Sequence, residues 1–183
     1  MTVELLARMI CLASGIFGRP AWETDKCAEH ATYIMEASDR YGVDPVLMAA
    51  ENIVECDMRE KDNPVYKMVR GRKRLVGYDA CPMGVRIIGV ERRLQFTNRD
   101  LYEEAARKLA HWKAWCSRKH RGHRHHFVSH YNEGNPTYAD QVLAVRAILL
   151  GKSTETYQKT PRIAEIVRLL SRVFVPGWKS PTS

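Results

Sequence analysis

The chain lacks the signatures of several large enzyme classes. No GxxxxGK[ST], GxGxxG or GxSxG occurs, so nucleotide-dependent and α/β-hydrolase chemistries are not suggested. There is no HExxH and no CxxC pair, which removes two common zinc-site patterns. No uninterrupted apolar run is long enough to span a bilayer. The first residues, MTVELLARMICLASGIFG, are apolar, but Glu4 and Arg8 interrupt them and no basic stretch precedes them. They read as an amphipathic first helix rather than a Sec-type signal peptide. Internal repeats and low-complexity tracts are absent. Acidic residues are also scarce: 21 against 29 lysines and arginines, for a net charge of +8.

What remains fits one domain with a proper core, because 183 residues of which 45% are hydrophobic suffice for that. The basic surface favours an anionic partner such as nucleic acid, an acidic membrane face or a bacterial cell wall, without choosing among them. The five cysteines, Cys11, Cys27, Cys56, Cys81 and Cys116, are odd in number and widely spaced. They read as buried free thiols. Two bridges plus one thiol is the alternative.

Helical patterns are predicted over 3–17, about 23–41, and from Pro45 to about Cys56. GRP at 18–20 breaks the first and Gly42 stops the second. Asp44 can cap the third helix, with Pro45 in its first turn. Residues 64–79 hold two short β-like runs, VYKMV and RLVGY, around a charged turn at Gly71. CPMGVRIIG (81–89) is expected to open a short helix. Further helices are predicted from Asp100 to about Lys119, from about Thr137 to Leu150 and from Pro161 to Val173. Leu101, Ala105, Leu109, Trp112 and Trp115 are core candidates on the first of these. The expected fold class is α+β, mostly α.

Three clusters can carry chemistry. Glu51 and Glu55 lie one helical turn apart, and Glu55 follows Ile53 and Val54 directly. A carboxylate desolvated at such a place has a raised pKa, as a general acid requires. Spacing alone nevertheless reads both as solvated surface glutamates. YNEGNPTY (131–138) offers the phenols of Tyr131 and Tyr138, the amide of Asn132 and a Gly-Asn-Pro turn, which suit a sugar or a nucleotide. His120, His123, His125, His126 and His130 could group on a metal, but the interleaved Arg118, Lys119, Arg121 and Arg124 would repel a cation. A basic patch for an anionic polymer is the preferred reading there.

Three segments, in order and spacing, resemble the soluble lytic transglycosylase family, the lysozyme-like muramidases of bacteria and phages. YGVDPVLMAAENIVECDM (41–58) is similar to the family stretch that presents the catalytic glutamate, with Glu55 on that glutamate. Cys56 stands where serine is usual, and Met58 where phenylalanine often is. ACPMGVRIIG (80–89) resembles the "GLMQv" motif. There Met83 and Val85 keep the family type, and Gly84 replaces a cleft-lining glutamine. VSHYNEGNPTYADQVLAVRAIL (128–149) resembles "aYNaGp" and matches best, through Tyr131, Asn132 and Gly134.

The resemblance implies a lysozyme-like catalytic domain over 1–175 with a β-hairpin near 64–79. It comprises an N-terminal helix and break at 1–22, a family-like core at 23–150, a last helix at 160–175, and a tail at 176–183. It implies Glu55 as general acid and then base on the MurNAc–GlcNAc bond of peptidoglycan, giving 1,6-anhydroMurNAc ends. Met83, Gly84, Tyr131, Asn132 and Tyr138 would bind substrate. Glu51 becomes a bystander. Cys56 and Cys81 fall where the family brings two positions together, so they are expected as neighbours and as a candidate disulfide; Cys11 and Cys27, on consecutive helices, are a second candidate pair. No cofactor, metal or nucleic acid is expected. Partners would be glycan strands and phage-particle or secretion-machinery proteins, with action at the cell wall (periplasmic or extracellular) after delivery by a phage particle, by lysis or by another route outside the Sec pathway. A hydrolytic muramidase using Asp57, Asp62, Asp79 or Glu133 as second carboxylate stays open. So does an inactive lysozyme-like module that binds glycan or serves a structural role.

Overall fold

A computed structural model describes residues 1–16, 23–57, 60–119, 126–152 and 161–177. The break at 18–20, Met58, His120, His123, His125 and the tail from 178 lie outside the described residues. The elements are α1 (Val3–Ile16), α2 (Thr24–Tyr41), α3 (Pro45–Cys56), β1 (Asn63–Val69), β2 (Arg72–Ala80), β3 (Val85–Ile88), a short α4 (Val90–Arg93), α5 (Asn98–Lys119), a 3-10 turn (Phe127–Asn132), α6 (Pro136–Leu149) and α7 (Pro161–Phe174). The chain is mostly helical with one antiparallel sheet in the order β1-β2-β3.

Local chemistry sets where α3 begins. Gly42 closes α2 in the left-handed region at φ 64°. The Asp44 side chain then accepts the Val46 N–H at 2.9 Å, and Pro45 enters the first turn. Ten of the twelve α3 residues are buried, so this helix is enclosed on all sides rather than laid on a surface. It packs against α6, α2 packs on α1 and α5, and α7 covers α6. Leu6, Ile34, Met48, Ile53, Leu109, Val142 and Leu170 meet in one core cluster.

A polar network fixes the chain as it leaves α3. The Tyr102 hydroxyl accepts the Asn52 amide at 2.8 Å and so donates to His30 Nδ1 at 2.7 Å. His30 Nε2 then donates to Glu60 at 2.9 Å, and Asn98 donates to the same carboxylate at 2.8 Å. Lys26 is its ion-pair partner. His30 is fully buried, and burial holds its pKa below the ordinary histidine value.

Three expectations need correction. Residues 81–89 open no helix: a turn leads into β3, with Val85 and Ile87 inward and Arg86 and Ile88 exposed. Gly77 on β2 makes that pairing possible, since a Cβ there would lie 2.0 Å from the Ile87 carbonyl oxygen. Trp112 and Trp115 are half-buried, and Trp112 stacks on His130 with ring centres 4.7 Å apart. Four of the five cysteines are not free thiols. Cys11–Cys27 joins α1 to α2, and Cys56–Cys81 joins the end of α3 to the turn before β3, leaving Cys116 unbridged. Partners 16 and 25 residues apart carry no local signature, and only the fold brings their Cα atoms to 5.6 and 5.8 Å.

Candidate active site

Glu55 is half-buried at the end of α3 and opens onto a cavity of about 350 Å³. Asn63 from β1, Asp79 from β2, Gly84 from the turn after Cys81, Arg86 from β3, Lys108 from α5, and Tyr131, Asn132 and Glu133 complete the wall. All three sequence segments therefore reach one cavity, through Glu55, Gly84 and the Tyr131–Glu133 stretch.

The turn at 81–84 lies directly against Glu55. Gly84 sits at φ 62°, a region that favours glycine. A Cβ on Gly84 would stand 2.9 Å from Glu55 Oε2 and 3.2 Å from its Cδ. Two ties hold this turn. One is the Cys56–Cys81 bridge. The other is the Tyr131 hydroxyl, which donates to the Met83 carbonyl at 2.8 Å. Tyr131 is itself fixed by Lys108, whose ammonium donates to the Tyr131 carbonyl at 2.8 Å and lies 4.1 Å from its ring centre.

Of the expected substrate contacts, Gly84, Tyr131 and Asn132 line the cavity, while Met83 and Tyr138 do not. Met83 is 0% and Tyr138 3% exposed, so both stand behind the wall. Tyr138 stacks on Tyr131 at 6.4 Å. Among the described residues the Tyr138 phenol meets no partner at full hydrogen-bonding geometry, though the Glu55 side chain is near enough to act on it. Burial, and the nearby charges of Glu51 and Glu55, raise its pKa far above the ordinary phenol value.

Glu51 is not the solvated surface glutamate that spacing alone suggests. It is 0% exposed, and among the described residues neither of its oxygens has a hydrogen-bond partner. Burial pushes its carboxyl well above the ordinary carboxylate range, the Glu55 charge pushes the same way, and Lys108 pulls weakly against them. A fully buried carboxyl without a partner is held as the neutral acid.

The four acidic residues considered as a second carboxylate separate cleanly. Asp62 is held by Arg93 at 2.7 and 3.1 Å and accepts the Cys81 N–H at 3.2 Å. Asp57 caps the end of α3. Only Asp79 and Glu133 line the cavity with Glu55. Arg86 serves both: it donates to the two Asp79 oxygens at 2.9 and 3.3 Å and lies 3.7 Å from Glu133.

Comparison of the chain with known protein families, curated proteins and solved structures yields no match. The resemblance therefore rests on the three sequence segments. Asn63, Arg86 and Lys108 lie outside those segments or outside their motif positions, and sequence reading did not single them out. Of the histidine cluster, His126 accepts the Val128 N–H at 3.3 Å and His130 packs on the tryptophans. Among the described residues no three His, Cys, Asp or Glu side chains are grouped to hold a metal ion.

Proposed function

We propose that the chain is a lysozyme-like lytic transglycosylase that breaks the MurNAc–GlcNAc β-1,4 bond of peptidoglycan. The observation that carries this reading is the convergence on one cavity of Glu55, the Gly84 turn and Tyr131–Asn132, from segments far apart in sequence. A wall rich in amide, guanidinium and ammonium donors suits a polyhydroxylated, acetamido-bearing ligand.

Glu55, protonated, donates to the glycosidic oxygen, and the leaving sugar takes that proton. The neighbouring acetamido carbonyl bonds to C1 as the C1–O bond breaks, spreading the oxocarbenium-like charge. The Glu55 carboxylate then removes the proton from the C6 hydroxyl. That oxygen bonds to C1 and expels the acetamido oxygen, and Glu55 ends protonated as it began. The 1,6-anhydro product forms without water. Lys108 supplies positive charge near Glu55 while it is ionised. The pairing of both remaining wall carboxylates with Arg86 favours this single-carboxylate route, because a guanidinium partner weakens a carboxylate as a base for water. Action at the cell wall, outside the cytoplasm, belongs to the same proposal, with delivery by a phage particle, lysis or secretion machinery.

The test is digestion of purified sacculi by wild type and Glu55→Gln, with released muropeptides analysed by mass. Loss of a general acid should lower the rate on the order of 10²–10⁴-fold. Anhydro products from wild type alone support the proposal. Reducing ends would indicate a hydrolase using Asp79 or Glu133. No release from either protein would favour a glycan-binding module.

A further inference from the structure

The β1–β2 hairpin projects from the cavity rim, and every residue from 66 to 75 is exposed. Cross-strand pairing places Tyr66 opposite Leu75 and Met68 opposite Lys73, and Lys67 opposite Arg74 and Val69 opposite Arg72. Successive residues of a strand face opposite sides. One face therefore carries Tyr66, Met68, Leu75 and Lys73, and the other Lys67, Arg74, Arg72 and Val69. Lys73 lies over the Tyr66 ring at 4.5 Å, so the cation on the apolar face is folded against it. Arg70 stands at the turn. No acidic residue occurs from 64 to 78, and among the described residues none of these five cations is in an ion pair with a carboxylate.

We propose that this hairpin is a docking arm for an anionic lipid bilayer, with Tyr66, Met68 and Leu75 entering the headgroup–acyl boundary and the basic side chains pairing with lipid phosphates. Five cations and no acid select an anionic surface. The apolar face selects lipid over a soluble polyanion. Met68 is 69% and Tyr66 46% exposed, and a phosphate polymer would leave that area in water. A ribbon with one apolar and one cationic face is the strand counterpart of an interfacial amphipathic helix. Attachment is peripheral: among the described residues no helix is long and apolar enough to cross a membrane. Asn63 and Asp79, at the base of the hairpin, line the cavity. The arm from Asp79 to Arg72 is about 20 Å long at the usual strand rise, so docking would hold the cavity at a fixed height from the bilayer. Membrane docking is independent of what Glu55 does, and the test below leaves Glu55 untouched.

The test uses the full oxidised chain with vesicles of phosphatidylglycerol and phosphatidylethanolamine, and with vesicles of phosphatidylcholine alone. Co-sedimentation should favour the acidic vesicles at least about tenfold, and the preference should shrink as salt rises from about 0.05 to 0.5 M. Neutralising the turn (R70S, R72S, K73S and R74S together) should remove the preference. M68S with L75S, which keeps every charge, should weaken acidic-vesicle binding by about tenfold. M68W should show a blue-shifted emission component, relative to wild type, on acidic vesicles only. Thermal unfolding of each variant should match wild type, because all these side chains are exposed. Wild-type binding by the charge variant would overturn the proposal. So would undiminished binding by M68S with L75S, or no blue shift together with equally tight binding to duplex DNA, which would make the arm a general polyanion site.

Discussion

Gly84 meets two requirements at once. Its φ of 62° is strained for any side chain, and its missing Cβ leaves the space that Glu55 Oε2 occupies. Gly84→Ala should destabilise by about 1 kcal/mol from the backbone alone and push the Glu55 carboxylate out of place. The expected outcome is a modest fall in Tm with a much larger loss of muropeptide release, measured on the same preparation. Glu51 calls for the opposite kind of test. Its folded-state pKa lies above its unfolded value, so its favourable contribution is fully present below the ordinary carboxylate pKa and is lost as pH rises through the folded value. Glu51→Gln, which cannot ionise, should therefore flatten the fall of stability with rising pH. Its Tm should exceed that of wild type near pH 8 by about 2–4 °C per kcal/mol of penalty removed. The difference should shrink as pH falls below the ordinary glutamate value, towards about pH 3, where wild-type Glu51 is protonated in both states. Thermal unfolding across that pH range checks the sign.

At the scale of elements, the site is a junction of one helix end, one turn and one 3-10 segment. Tyr131, 5% exposed, joins the last two through its hydroxyl on the Met83 carbonyl. Tyr131→Phe leaves that carbonyl without its donor and should cost about 1–3 kcal/mol in denaturant unfolding. Loosening of the Gly84 turn should also lower the catalytic rate more than substrate affinity. Element boundaries were legible wherever a residue had a local reason to be there. The Asp44 cap, Pro45 in the first turn, the Gly42 stop and the Gly71 hairpin turn are of this kind. The 81–89 segment was not, because a short apolar run with two glycines satisfies a buried strand as well as a helix start. The environment of Glu51 was hidden for a different reason: the glutamate looks the same in sequence whether or not other elements enclose it, and Lys108, which acts on its charge, and Tyr131 and Tyr138, which feel that charge, lie more than fifty residues downstream. Arg86 and Lys108 are ordinary surface-type residues until the sheet and α5 bring them to Glu55.

For the whole molecule, the excess of basic charge is not evenly spread. Five cations with no carboxylate partner among the described residues are gathered on the hairpin, whereas Arg86, Arg93 and Arg146 are each committed to carboxylates. The two disulfides act at this scale too. Opening the Cys56–Cys81 loop releases a 25-residue separation, and removing that bridge should cost about 3 kcal/mol. A Cys56→Ala, Cys81→Ala double variant should therefore melt lower than wild type. Reductant should lower the wild-type Tm and leave the melting of a variant lacking all four bridged cysteines unchanged. Disulfides persist in oxidising compartments and are rare where glutathione and thioredoxin keep thiols reduced. On the proposed function, the bridge that holds the Gly84 turn against the end of α3 would double as a chronometer. If the chain acts at the cell wall as proposed, it would be complete in a reducing interior while the seat of Glu55 is still loose, and crossing into an oxidising space would be the event that finishes it. A chain able to cut the wall of the cell that makes it would in this way carry its own delay, written in two sulfur atoms.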